Sequence, residues 1–117
     1  IAMKYDESLN DLPLILPMQE KFNYSSFHLY PIKINLDKIG KSLSDVFESM
    51  RNSGIGVNKH YIPVYRHPFF ANFGFSEDYC LEAKRYYDQS ISLPIFPGLN
   101  LKQQTKVIDS LKKAISL

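Results

Sequence analysis

A single cysteine, Cys80, excludes any internal disulfide in this chain of 117 residues, and such sparing use points to a reducing compartment. No apolar run reaches the roughly 18 residues of a membrane-spanning helix, and the opening IAMKYDES lacks the apolar centre of a signal peptide. These readings lead to the expectation of a cytoplasmic protein. None of the five glycines builds a nucleotide-binding loop. The histidines at 28, 60 and 67, taken with Cys80, match no compact ligand spacing, which argues against a metal centre. No segment supplies a recognisable nucleophile with its base, and Ser92 in particular has no adjacent base to activate it. Neither sign of charge dominates, since 14 basic residues face 12 acidic ones. The lysines are spread along the chain, which argues against a nucleic-acid or membrane-surface partner. Lys59 and Arg66 do lie among tyrosines, but these are too few to track a nucleic-acid backbone.

What is present is the material of one domain. At 44% hydrophobic, a chain of this length can bury roughly 65% of its unfolded surface. There are no repeats and no low-complexity linkers. The first 22 residues are the least self-sufficient. A short helical pattern from Tyr5 to Leu12 is followed by Leu14-Ile15-Leu16, held between Pro13 and Pro17 and so confined to an edge or a bounded extended segment.

Beyond it, SSFHLYPIKI from Ser25 to Ile34 reads as a buried strand, with a bulge or edge position expected at Pro31, which cannot donate to a ladder. Leu43, Val46, Phe47 and Met50 fall at helical spacing. Ser42 and Asp45 stand at capping-box distance before them, and Gly54 stands where a helix C-cap belongs. Residues from Ile55 to Tyr61 read as a strand, and Pro63 and Pro68 forbid regular structure after it. A helix is expected from Ser76 to Asp88, with Tyr79, Ala83 and Tyr86 on one stripe, then a short extended segment from Ile91 to Phe96. Asn100 and Gln103 cap a terminal helix whose apolar face includes Val107, Ile108, Leu111 and Ile115. This order predicts an α+β two-layer sandwich, a small sheet with helices packed on one face. Hairpin signals are absent and the connections carry helices, so parallel strand pairs are open.

The densest chemistry lies between Gly54 and Leu99. GIGVNKHYIPVY, then a helix ending in Tyr86-Tyr87, then ISLPIFPGL, together resemble the C-terminal domain of the DegT/DnrJ/StrS sugar aminotransferases. With SSFHLYPI before them, they are most similar to the pseudaminic-acid pathway enzymes and to spore coat polysaccharide biosynthesis proteins of that family. The resemblance runs from about Tyr5 to Leu111. It implies the small C-terminal domain of a fold-type-I, pyridoxal-phosphate-dependent enzyme that turns a UDP-linked 4-keto sugar into the 4-amino sugar for surface polysaccharide or flagellar glycan. Residues 1–22 would then connect to a missing large domain, and 23–117 would be the small domain. The implied amino donor is glutamate and the implied assembly a homodimer. The cofactor lysine, the aspartate on the pyridinium nitrogen and the phosphate grip would belong to the large domain. None of the 11 lysines here lies in a segment resembling the family's lysine motif, so no catalytic or cofactor-binding residue is assigned and the chain alone is expected to be inert.

The resemblance also implies that His60 faces the cleft near the sugar nucleotide, where its ring could hydrogen-bond an oxygen. The plainer alternative is a histidine satisfied by a local carbonyl. Tyr61 and Tyr65 could stack on or hydrogen-bond the same ligand, or could simply anchor a proline-bounded loop. His67 reads as a surface residue. His28 reads as a core histidine of its strand, and Ser92-Leu93-Pro94 as a strand end and turn. A different class of function stays open, in which the chain is a small binding module using its aromatic loop from Tyr61 to Phe75 as a contact surface.

Overall fold

A computed structural model describes residues 1–116. Three strands form one antiparallel sheet in the order β1 (Leu14–Ile15), β2 (Tyr30–Ile34), β3 (Ser90–Leu93). The possibility of parallel pairs is thereby closed. β2 runs beside β3 with Tyr30 opposite Leu93 and Ile32 opposite Ile91, while β1 pairs only with Lys33 and Ile34. Pro31 therefore lies beyond the end of β1, where β2 is locally an edge and a missing N–H costs no ladder bond on that side.

Six helices among the described residues accompany the sheet in the α+β arrangement: α1 (Ala2–Leu9), α2 (Leu36–Ile39), α3 (Leu43–Asn52), α4 (Pro68–Ala71), α5 (Leu81–Gln89) and α6 (Leu101–Ile115), with α4 lying outside the core. The core joins Tyr30, Ile32, Ile34, Ile91 and Leu93 from the sheet to Val46 and Met50 of α3 and to Val107, Ile108 and Leu111 of α6. α1 belongs to the same core through Ala2, Tyr5 and Leu9. The Tyr5 hydroxyl donates to the Pro94 carbonyl at 2.8 Å, and the Tyr30 hydroxyl donates to Asp6. Burial pushes both phenols well above their ordinary pKa, so both stay donors at any physiological pH.

Local signals fix the helix ends. Ser42 and Asp45 form a reciprocal capping box on α3, and Asn100 and Gln103 form one on α6. At the other end of α3 the Gly54 N–H bonds to the Arg51 carbonyl and the Ile55 N–H to the Met50 carbonyl, a Schellman closure that requires the left-handed φ of 74° at Gly54. Several sequence expectations shift. The strand expected from Ser25 begins only at Tyr30, and the segment bounded by Pro63 and Pro68 holds a 3₁₀ turn at Val64–Arg66 followed by α4, with Pro68 at the first helical position, where its missing N–H costs nothing. The stretch from Ile55 to Tyr61 is not a strand, because it meets the sheet only where Asn58 bridges Ser92. The helix expected from Ser76 begins at Leu81, since Ser76 and Tyr79 close a separate turn and Tyr79 turns its ring onto Phe75.

Candidate functional site

The Asn58–Ser92 bridge carries the loop after α3 along β3 and sets His60 over the strand. The His60 Nδ1 lies 2.9 Å from the Ser92 Oγ and its Nε2 lies 3.2 Å from the Asn58 Nδ2. The direction of these bonds follows from their neighbours. The Lys59 N–H donates to the Asn58 Oδ1 at 2.9 Å, which fixes the amide with its NH₂ toward the ring. Nε2 must then accept, so Nδ1 carries the hydrogen and donates to Ser92. His60 and Ser92 thus meet in space, although 32 positions apart in sequence. The imidazole donates to the hydroxyl rather than accepting from it, the wrong polarity for a general base acting on a serine nucleophile. Ser92 positions His60.

A cavity of about 620 Å³ opens beside this pair, between the 54–60 loop, the end of β3 and the first turns of α6. Its floor is apolar, with Ile55, Leu93, Ile95 and Leu99, and its rim carries Asn58, His60, Gln103, Lys106 and His28. His60 is half-buried at this rim. Tyr61 does not line the cavity. It is 67% exposed, with its ring 4.7 Å from that of His60. Tyr65 is turned away altogether, its ring on Tyr79 and its hydroxyl donating to the Cys80 carbonyl at 3.2 Å. His67 is exposed at the start of α4. His28 differs from its reading as a core histidine: β2 begins only at Tyr30, and His28 is exposed at the cavity mouth.

On the outer side of the loop, the Lys59 ammonium sits 3.8 Å from the centre of the Tyr87 ring, and burial lowers its pKa. Arg66 lies over the same ring and reaches Glu77 at 3.8 Å and Asp88 at 4.0 Å. These contacts tie the 59–66 loop to α5.

The cavity also tests the pyridoxal phosphate that the sequence resemblance implies. A Schiff base needs a lysine, and the pyridinium nitrogen needs a carboxylate beside it. The lining offers Lys106 but no aspartate or glutamate, so these residues do not fit a complete cofactor site. Among the described residues no group of three metal-ligating side chains could hold an ion, and no helix is long and apolar enough to cross a membrane.

In comparison with known proteins, residues 1–112 match the model of the DegT/DnrJ/EryC1/StrS aminotransferase family. The uncharacterized protein MJ1066 of Methanocaldococcus jannaschii is 33% identical over 118 residues, covering 99% of this chain and 31% of that protein. A UDP-4-amino-4,6-dideoxy-N-acetyl-beta-L-altrosamine transaminase of Campylobacter jejuni is 32% identical, covering 95% of this chain and 29% of that protein. Among solved structures, Helicobacter pylori PseC, an aminotransferase involved in the biosynthesis of pseudoaminic acid, superposes with a TM-score of 0.82 at 28% identity. The match covers 97% of this chain and 30% of that one. DesV of S. venezuelae, solved with a ketimine intermediate, gives a TM-score of 0.87 at 25% identity over 99% of this chain and 30% of that one. The chain spans about 30% of the length of the curated relatives it matches.

Proposed function

The chain belongs to the DegT/DnrJ/EryC1/StrS aminotransferase family, and from that membership we propose that it is the C-terminal part of a nucleotide-sugar aminotransferase. The parent enzyme would use pyridoxal phosphate, held by the portion of the protein outside this chain, to move an amino group from glutamate onto a UDP-linked 4-keto sugar. The product would serve bacterial surface polysaccharide or flagellar glycan. When bound, the cofactor supplies an electron sink for the amino transfer. The residues described here bind and orient the sugar nucleotide and exclude water from one side of it, with His60 offering a polar edge to the sugar and Tyr61 and Tyr65 anchoring the adjoining loop.

The single observation that carries this reading is the family match along residues 1–112, which spans every element from α1 into α6. The cavity beside His60 supports it, being of the size and mixed lining that small-molecule sites have. So do the exposed rings beyond it, Phe69 at 69% and Phe73 at 67%, which a free-standing domain would rarely leave in water. In this reading they meet the large domain or the second protomer of a cytoplasmic homodimer, and residues 1–22 lead from that large domain into the small one.

The test is to read the gene upstream of the codon for Tyr5, express the whole frame, and supply it with pyridoxal phosphate, glutamate and a UDP-linked 4-keto sugar. An amino-sugar nucleotide from the whole protein, and none from residues 1–117 alone, is the expected result. A frame without a cofactor-lysine segment, or turnover by this chain by itself, would overturn the reading.

A further inference from the structure

Both ring nitrogens of His60 are engaged inside the protein. The Lys59 N–H donates to the Asn58 Oδ1 at 2.9 Å, the Asn58 amide donates to the His60 Nε2 at 3.2 Å, and the His60 Nδ1–H donates to the Ser92 Oγ at 2.9 Å. These bonds run head to tail, so each polarises the next and makes the final hydroxyl a better donor. The Ser92 Oγ accepts from the imidazole and keeps its own hydrogen, which no acceptor receives among the described residues. Ser92 is 5% exposed, and it lines the cavity together with Asn58 and His60. A buried donor without an acceptor is costly, and the direction left open to this one is the cavity.

We infer that the Ser92 hydroxyl is the group at this edge that meets the ligand, donating to an acceptor oxygen, and that His60 is a positioning residue acting through it. A neutral imidazole with both nitrogens engaged has no hydrogen bond left to give, so the polar edge at His60 is delivered by its neighbour. Ile55, Leu93, Ile95 and Leu99 surround the space with apolar side chains, which makes a single hydroxyl there selective. The hydrogen bonds alone single out Ser92; that the ligand is a sugar nucleotide rests on the reading given above.

In the whole enzyme, affinity for the UDP-linked 4-keto sugar is measured by calorimetry and turnover is followed separately. Ser92→Ala should weaken binding about tenfold and raise KM by the same factor, with kcat held within about threefold. Ser92→Thr, which keeps the hydroxyl, should recover most of that loss. Ser90→Ala removes another buried hydroxyl from β3, outside the lining of this cavity, and should leave the affinity within about twofold. His60→Leu should also weaken binding about tenfold, and His60→Gln, whose amide N–H and carbonyl reproduce both bonds of the neutral ring, should recover most of it. The deciding variant combines Ser92→Ala with His60→Leu. It should bind no more weakly than Ser92→Ala alone, because His60 acts only through Ser92. A further tenfold loss in the double variant would mean that the ring touches the ligand itself and would overturn the inference. Ser92→Ala binding like the parent, or Ser90→Ala weakening binding as much as Ser92→Ala, would overturn it too. Amination by the whole enzyme with undiminished binding by Ser92→Ala leaves the function standing and the inference wrong. The expected differences in binding without amination separate them the other way.

Discussion

Two buried serines two residues apart on β3 make a sharp test of how His60 is held. Ser90 is 4% exposed and Ser92 is 5% exposed. The Ser92 Oγ accepts from the His60 Nδ1 at 2.9 Å, whereas the Ser90 Oγ has no hydrogen-bond partner among the described residues. Ser92→Ala removes the acceptor and leaves a half-buried imidazole N–H unpaired, a loss of about 1–2 kcal/mol. Ser90→Ala removes a hydroxyl that had already given up its water, so it should be neutral within about 0.5 kcal/mol or stabilising. Urea unfolding of the 117-residue chain would read the difference, with a fall in midpoint temperature of about 5 °C per kcal/mol accompanying it. A cycle with His60→Ala should return a coupling of about 1 kcal/mol between His60 and Ser92. Imidazole ¹⁵N shifts should show the hydrogen on Nδ1. A coupling under about 0.3 kcal/mol, an Nε2–H tautomer, or equal losses from the two serine variants would refute the reasoning.

Three further outcomes follow from the same structure. Gly54→Ala should cost about 1–2 kcal/mol in urea unfolding. The cost comes from the φ of 74° rather than from crowding, because the nearest atom to the new Cβ is the end of a flexible lysine. Leu111→Ala, at a fully buried core position on α6, should lose about 2–5 kcal/mol, and a loss under about 1 kcal/mol would mean that α6 is not seated as described. The Asp45 carboxyl is held below its ordinary pKa first by the hydrogen bond from the Ser42 hydroxyl, then by the Ser42 N–H, with the Lys41 charge adding to them. A folded value below the unfolded one gives stability that is present at neutral pH and lost as the pH falls through about 4 and below. Asp45→Asn should therefore lower the urea midpoint at pH 7, and the gap from the parent chain should narrow at pH 2–3; a constant gap would contradict the linkage.

The parts of this fold legible in the sequence are those decided within a few residues. Ser42 with Asp45, Asn100 with Gln103, and the left-handed Gly54 each bond to backbone no more than four positions away, so spacing alone reveals them. The stretch from Ile55 to Tyr61 has strand composition, but whether it becomes a strand depends on what β3 offers it. β3 meets it only at Ser92, and its ladder lies with β2 instead. His28 fell on the wrong side of a boundary of two residues, because alternation could not say that β2 starts at Tyr30. His60 carried a readable signal in its motif, but its partner Ser92 did not, since nothing local joins positions so far apart. Lys106 carried no signal at all. It sits on the polar side of an amphipathic helix, where a lysine is ordinary, and only the approach of α6 to Gly54 places it at the cavity.

The same contrast divides the molecule physically. The body closes on itself through long-range bonds: Gln104 of α6 donates to the Ile1 carbonyl at 2.7 Å, Tyr5 ties α1 to Pro94, and Lys41 reaches the Ala114 carbonyl at 3.1 Å. There α1, α3, α6 and the two longer strands bury apolar residues against one another. From Tyr61 to Cys80, by contrast, no residue is buried. That lobe is held by ring contacts among Phe69, Phe70 and Phe73 and by the reach of Arg66 to Glu77 and Asp88. Exposed ion pairs of that length contribute little, and rings facing water forgo most of the burial that makes aromatics stabilising. A segment so rich in aromatics and so poor in burial is unfinished as a structure. It begins beside the cavity, where the Tyr61 ring lies 4.7 Å from that of the rim residue His60.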